Sequence, residues 1–402
     1  MSELSIATPS MLRDGGFTGP GVVTVRDGRI VEVSDGVAGR AGASVVLGSG
    51  VLTPGLMDLQ NNGSFGADFA DATPEQWEEV LTGLAVRGVT GVEPTIITAP
   101  LEELDLAFDR ARAAQVRHAG QPVCRILGVH LEGPFISEVR KGAHRAECML
   151  DPSPEALDRL LGNQSTREVL LTVTLAPERA GALEAIARLV SAGIVVSVGH
   201  SDATAQQVWA AADAGATMTT HVFNAQRPFG HREPGVPGAV LADPRYFIGT
   251  ILDGQHVDPA VVRIVFAAAP GRVVGVTDAI VTAGLPNHTP LMFGGQPVTN
   301  DEHGLGRRDD GTIAGAGIVL DEAVRRMVAA GIDPATVIAS TTEVAARSLG
   351  RTDIGHIAVG AHADLVWWDQ DWHPRRVWIA GHEVHMPDAA APPNPDAVPL
   401  ID

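Results

Sequence analysis

The chain has 402 residues, 45% of them apolar and 19% charged, which suits one large barrel plus an accessory module and argues against disorder. Its 48 acidic and 29 basic residues give a formal net charge of −19, with no block of Lys or Arg, so a broad face for nucleic acid or anionic membrane is excluded. An anionic substrate would need a small local basic site.

The N-terminal residues Met1 to Ser10 lack a basic start followed by an apolar run, and no stretch reaches the ~18 uninterrupted apolar residues of a membrane span. Val22-Val23-Thr24-Val25 and Arg29-Ile30-Val31-Glu32-Val33 read as two strands joined by a tight Asp27-Gly28 turn. Ser44–Leu47 reads as a further strand. The middle of the chain alternates strand, loop and helix, which predicts a parallel sheet. Eight strands are expected: 55–59, 89–95, 125–131, 169–175, 194–198, 217–222, 247–252 and 272–276. Thr73-Pro74-Glu75-Gln76 and Ser153-Pro154-Glu155 each carry a capping residue and a proline at the first helical position. Further helices are expected over 205–214 and 259–269. Near the end, 363–368 and 376–381 are again strand-like. The expected fold is therefore α/β, a (β/α)8 barrel over 54–349, with 1–53 and 350–386 meeting in one small β-sandwich. The Pro- and Ala-rich segment 387–402 reads as a mobile tail. An open dinucleotide-binding sheet is disfavoured because no G-x-G-x-x-G follows the first strand.

Catalytic groups of such barrels come from the C-terminal ends of the strands. Here those ends read Asp58-Leu59-Gln60-Asn61-Asn62, His130-Leu131-Glu132-Gly133, Gly199-His200-Ser201-Asp202, His221-Val222-Phe223-Asn224, Asp253-Gly254-Gln255-His256 and Thr277-Asp278. One carboxylate and two imidazoles, Glu132, His200 and His221, form a recognised catalytic metal set. Strand alternation puts His130 on the same side as Glu132, as a supporting group or second ligand. Asp278 stands where a general base is wanted: a metal ion lowers the pKa of bound water to ~7, and a neighbouring carboxylate can accept the proton and deliver it to a leaving amine. Cys124 and Cys148 form no C-x-x-C pair, which fits a reducing, cytoplasmic setting.

These blocks, together with Lys141-Gly142-Ala143-His144, Asn224-Ala225, Arg232-Glu233-Pro234-Gly235 and His256-Val257, resemble the N-acetylglucosamine-6-phosphate deacetylase branch of the amidohydrolases, in order, over about residues 50 to 365. The resemblance implies metal-dependent release of acetate from the phosphorylated N-acetyl sugar. It implies that Glu132, His200 and His221 hold the metal, that Asp278 is the acid/base, and that His144 stabilises the oxyanion. Substrate contacts would come from Gln60, Gly142, Ala143, Asn224 and Ala225. Arg232 and His256 would bind the phosphate, at least one of them from a neighbouring subunit, so a homodimer with shared sites is implied. Many amidohydrolases carry His-x-His on strand one; Gln60-Asn61-Asn62 predicts one tightly held divalent ion, zinc first and iron or another ion next, with room for a weaker second. Two segments depart from the pattern, Gln226-Arg227-Pro228-Phe229 and Ile280-Val281-Thr282. Other readings are the galactosamine epimer, another N-acyl amidohydrolase, and a non-catalytic sugar-phosphate-binding barrel. A Schiff-base aldolase is disfavoured because Lys141, the only lysine, lies in a loop.

Overall fold

The computed structural model describes residues 3–36 and 42–386; the expected tail at 387–402 lies outside the described residues. Eight parallel strands form the barrel: β1 (Leu56–Asn61), β2 (Val89–Ile97), β3 (Val129–Glu132), β4 (Leu170–Leu175), β5 (Val195–Val198), β6 (Met218–Thr219), β7 (Phe247–Ile251) and β8 (Val273–Val276). Each pairs with the next in chain order, β1 with β2 through β7 with β8. The ring closes just past the ends of β8 and β1, where Asp278 N donates to Gln60 O at 2.9 Å and Asn62 N to Ala279 O at 2.7 Å. Two of the residues that seal the barrel are thus residues of its mouth.

The helix signals act as expected. Thr73 and Gln76 make a reciprocal capping box at the start of the helix Pro74–Val86, and Ser153 caps Pro154–Gly162. Two strands differ from expectation. The third breaks into Arg125–Ile126 and Val129–Glu132, with Gly128 near the gap, where a Cβ would fall 2.5 Å from Leu171 Cβ. The sixth shrinks to two residues because His221 turns out of the ladder with φ +28°.

The ends of the chain meet as the sequence suggested. Val51–Pro54 pairs antiparallel with Leu365–Trp368 inside a six-stranded sheet, while the hairpin Gly21–Arg26 and Arg29–Asp35 belongs to a four-stranded one. Asp27 and Gly28 both have positive φ, the backbone that a two-residue hairpin turn requires. Ile6, Val23, Leu365 and Trp378 are buried in one cluster between these sheets. A four-stranded antiparallel sheet over Pro290–Ala316, not expected from the sequence, follows β8 and brings Phe293 and Ile313 to the mouth. Ile280, at the start of the departing segment Ile280-Val281-Thr282, packs beneath it with Phe293 and Val298.

Polar groups also fill the barrel. Glu93 is buried, its Oε1 has no partner among the described residues, and burial pushes its carboxyl up to about 8. Folded Glu93 therefore keeps a proton that the unfolded chain loses above its ordinary range. Its contribution to stability falls as pH rises from about 4.5 to about 8 and is flat beyond. Glu93→Gln is expected to flatten that slope and to raise the thermal midpoint at pH 8 relative to the parent. Melting curves at pH 5 and pH 8 check this; an equal slope in both proteins would contradict it.

Candidate active site

Glu132, His200 and His221 converge at the mouth. Glu132 Oε1 lies 3.1 Å from His200 Nε2 and 2.9 Å from His221 Nε2, and the two imidazole nitrogens are 3.1 Å apart. Each comes from a different strand end. Gly199 permits the approach of His200, since a Cβ there would meet Thr220 at 2.7 Å and Thr174 at 2.8 Å. His200, His221 and Asp278 all hold left-handed backbones, with φ +46°, +28° and +53°. Such conformations cost of order 1–3 kcal/mol each and cluster where geometry serves function.

The donor chemistry of this cluster fits a cation. His200 Nδ1 donates to the Arg140 carbonyl oxygen at 2.8 Å, so a neutral ring turns a bare Nε2 lone pair toward the Glu132 carboxylate and the second imidazole. Glu132 Oε1, His200 Nε2 and His221 Nε2 thus converge on one point. A carboxylate and two imidazoles are a set suited to zinc or a similar divalent ion. Burial opposes the Glu132 charge, yet His200 and His221 beside it hold its carboxyl well below the usual range. His221 Nδ1 is buried without a partner among the described residues.

Glu132, His144 and His200 also lie within 4.8 Å of one another. His144 is nevertheless placed as a donor. Its Nδ1 faces the Thr98 backbone N–H at 3.4 Å and the Thr98 hydroxyl at 2.8 Å. A backbone N–H can only donate, so Nδ1 accepts and the neutral ring carries its proton on Nε2. Burial first, then the neighbouring His200, lowers this imidazole to about 3, so it stays neutral. A neutral N–H donor is what a developing oxyanion needs.

Asp278 keeps a partly exposed face on the cavity. Its Oδ1 accepts from Gln60 Nε2 at 3.1 Å and Asn62 Nδ2 at 3.0 Å, which leaves Oδ2 for a ligand. Desolvation and the Glu132 charge push this carboxyl up to about 7. Gln60 Nε2 also donates to Glu132 Oε1 at 3.3 Å, so the amide on β1 orders two carboxylates by hydrogen bonding. Asn61 turns instead to Asp58 and Ser64.

A cavity of about 300 Å3 joins these groups to Gly142, Ala143, Asn224, Ala225 and His256. His256 Nδ1 bonds the buried Asp253 Oδ2 at 2.7 Å, leaving Nε2 for a ligand. A cavity of about 340 Å3 elsewhere is lined by Arg13, Arg347 and Arg351, whose charges are met by Asp35, Glu343 and Asp353.

Three expected residues are placed differently. Gln60 is buried and does not line the cavity; its amide is given to Glu132 and Asp278. His130 lies inside the barrel, below the mouth, with Nε2 2.7 Å from Thr174 Oγ1 and Nδ1 3.4 Å from Thr95 Oγ1. Burial pulls it down to about 4, and both its nitrogens are engaged by hydroxyls. Arg232 is exposed and lies outside the cavity of its own chain. It does not pair with Glu233, whose carboxylate accepts from the N–H groups of Ala205 and Gly235.

Over residues 51–384 the chain matches the amidohydrolase family. It belongs to that family. This amidohydrolase is 35% identical to an N-acetylglucosamine-6-phosphate deacetylase of Vibrio furnissii, covering 94% of this chain and 93% of the relative. It is 36% identical to an N-acetylgalactosamine-6-phosphate deacetylase of Escherichia coli O157:H7, over 82% of this chain and 87% of the relative. A solved mutant of the N-acetyl-D-glucosamine-6-phosphate deacetylase of Mycobacterium smegmatis, in complex with N-acetyl-D-glucosamine-6-phosphate, superposes with a TM-score of 0.88 at 34% identity, covering 96% and 100% of the two chains. Among the described residues no helix of this amidohydrolase is long and apolar enough to cross a membrane.

The sequence reading missed several residues of this amidohydrolase site. Thr98 sets the His144 tautomer, Asn62 steadies Asp278, and Phe293, Ile313 and Gly315 wall the cavity. A signal for the wall existed: Gly294-Gly295 is a two-residue hairpin turn, with φ +55° and +76°. Gly315 was legible only in three dimensions. It has φ +149°, and a Cβ there would sit 2.6 Å from Asp278 O. The departing Gln226 proves local: its side chain bonds Phe223 N at 3.0 Å and Thr220 O at 2.9 Å, bracing the turn after His221.

Proposed function

We propose that this amidohydrolase hydrolyses N-acetylglucosamine 6-phosphate to glucosamine 6-phosphate and acetate, in amino-sugar catabolism. The observation that carries the reading is the meeting, in one cavity, of the Glu132–His200–His221 set, the His144 N–H donor and the raised Asp278 carboxylate. Relatives named as deacetylases, matched over nearly their whole length, support the substrate. Glu132, His200 and His221 would hold one divalent ion, zinc by their donor chemistry, and such an ion polarises a carbonyl and lowers the pKa of water. The Gln60 amide argues for a single ion, because it hydrogen-bonds both carboxylates where other amidohydrolases place imidazole.

The chain's own groups do the rest. Asp278 Oδ2 accepts a proton from the attacking water and returns it to the departing nitrogen. His144 Nε2–H steadies the negative charge that builds on the acetyl oxygen. Gly142 and Ala143 line the same cavity and contact the sugar, while Gln60 steadies the two carboxylates from behind. Asn224, Ala225 and His256 receive the phosphate end. Arg232 completes that end from a partner subunit, which explains its exposure in a single chain, so the active form is a homodimer. The free Cys124 and Cys148 support a cytoplasmic location. Residues 1–53 and 350–386 act as one accessory module and 54–349 as the catalytic barrel, a division supported by the pairing of Val51–Pro54 with Leu365–Trp368.

Acetate release from N-acetylglucosamine 6-phosphate, with the unphosphorylated sugar and the galactosamine 6-phosphate epimer alongside, tests the reading. A higher kcat/KM for the galactosamine substrate would favour the second relative's specificity. No release from metal-loaded protein would leave a sugar-phosphate-binding barrel. Arg232→Ala is expected to raise KM for the phosphorylated sugar ~10- to 100-fold, as loss of ~1.5–3 kcal/mol of charged hydrogen bonding implies. Mixing this variant with Asp278→Asn should restore up to about a quarter of parental kcat/KM if subunits pair at random, because half the dimers then hold one complete site. No recovery on mixing would mean that Arg232 does not cross between subunits.

A further inference from the structure

Asp202 lies two residues past His200, and neither the metal set nor the substrate contacts described above use it. Its carboxylate joins arginines from two other loops. Oδ1 accepts from Arg140 Nε at 2.8 Å, and Oδ2 from Arg227 Nη2 at 2.8 Å. The Asp202 main-chain oxygen also accepts from Arg227 Nε at 2.6 Å. Behind it, Glu178 takes the Asp202 N–H at 2.6 Å and the Ser201 hydroxyl at 2.7 Å, which anchors Asp202 to a fourth loop.

The Arg140 arm returns to the metal set. The Arg140 carbonyl oxygen accepts His200 Nδ1–H at 2.8 Å. A ring therefore closes: His200 Nδ1, the Arg140 carbonyl, the Arg140 guanidinium, the Asp202 carboxylate, and back along the chain to His200. Locally the Arg140 main chain has little else to hold it. It ends a single 3-10 turn, Glu138–Arg140, with one N–H bond to Ser137 O at 3.0 Å. The Arg227 arm reaches the turn that carries Asn224 and Ala225, where Ser201 N donates to Ala225 O at 3.1 Å and Arg227 N to Ser201 O at 2.8 Å. The cation that Arg227 adds near the mouth is spent on Asp202.

We propose that Asp202 is a positioning residue with two separable duties. Through Arg140 it fixes the tautomer and direction of the His200 ring, and through Arg227 it holds the Asn224–Ala225 turn against the substrate. The inference rests on the reading of Glu132, His200 and His221 as metal ligands.

The two duties predict different losses. Groups behind a ligating imidazole are worth ~10- to 100-fold in metal affinity or activity. Competition against a chromophoric chelator for Zn2+, and the visible spectrum of the Co2+-loaded protein, read the first duty without using activity. Asp202→Ala and Arg140→Ala are each expected to weaken the ion ~10- to 100-fold, and the double variant to be no worse than either, because both act through one contact. Arg227→Ala should keep parental metal affinity and raise KM for the phosphorylated sugar with kcat held. Asp202→Asn, which keeps shape and loses charge, should weaken the ion in the same direction by less; it serves if Asp202→Ala does not fold. Folded Asp202 and Arg140 variants that hold Zn2+ as tightly as the parent would overturn the proposal while leaving the ligand reading intact. A parent chain that takes up neither ion would overturn both.

Discussion

Asp278→Asn is expected to fold, to keep its metal, and to lose ~10^2- to 10^4-fold in kcat, the range for removing a general acid–base group. The hydrogen bonds explain why the fold survives. Gln60 and Asn62 both donate to Oδ1, and an asparagine can offer its oxygen to both in that position. The amide nitrogen then takes the place of Oδ2, where it can donate but cannot accept a proton from water. The pH dependence follows the same group. Desolvation and the Glu132 charge raise Asp278 to about 7 in the metal-free chain. A cation held beside it favours the carboxylate, so the acid limb of the parent's pH–rate profile should fall below that value. Activity rises with pH through this limb, because the carboxylate is the working form, and the limb should vanish in the variant. Stability moves the other way. The folded metal-free parent holds a proton on Asp278 that the unfolded chain loses, so between about 4 and about 7 its stability falls as pH rises. The metal-free variant should accordingly melt higher than the parent at pH 8. Retention of more than a tenth of parental kcat would remove Asp278 from the mechanism.

Glu132→Gln should cost still more, because it acts on the metal itself. Glu132 Oε1 is the atom that both imidazoles approach, and among the described residues no other carboxylate oxygen lies within hydrogen-bonding distance of either Nε2. An amide oxygen carries no net charge and is a poor ligand for a transition metal. The loss in metal affinity should exceed the ~100-fold expected when only groups behind a ligand are removed. Metal content of the purified protein, measured by elemental analysis, should drop together with acetate release, and added Zn2+ should restore little. Full metal content with parental activity would show that the ion binds elsewhere. The two variants separate cleanly: Asp278→Asn keeps the metal and loses turnover, whereas Glu132→Gln loses both.

The eight strands, the helix starts at Pro74 and Pro154, and the hairpin at Asp27-Gly28 were legible because each rests on local chemistry: a short apolar run between turns and helices, a capping side chain, a backbone of positive φ. That Glu132, His200, His221 and Asp278 gather at one mouth was legible for a related reason. Acidic groups and imidazoles at strand ends have little packing role, and the barrel gathers strand ends at one mouth.

The same local logic could not tell His130 from Glu132. The two share a strand face, and only the neighbouring strands, with Thr95 on β2 and Thr174 on β4, decide that His130 is held inside the barrel while Glu132 faces the mouth. Roles that depend on a distant partner were equally invisible. The His144 tautomer needs Thr98, 46 residues away, and the Oδ2 of Asp278 is left for chemistry because Gln60, 218 residues away, engages Oδ1. The sequence by itself thus determined the architecture and the inventory of reactive groups, since these follow from patterns a few residues long. Tertiary structure alone decided which nitrogen carries a proton, which oxygen is left for substrate, and which loops Asp202 ties together, because those depend on contacts made only when the barrel closes.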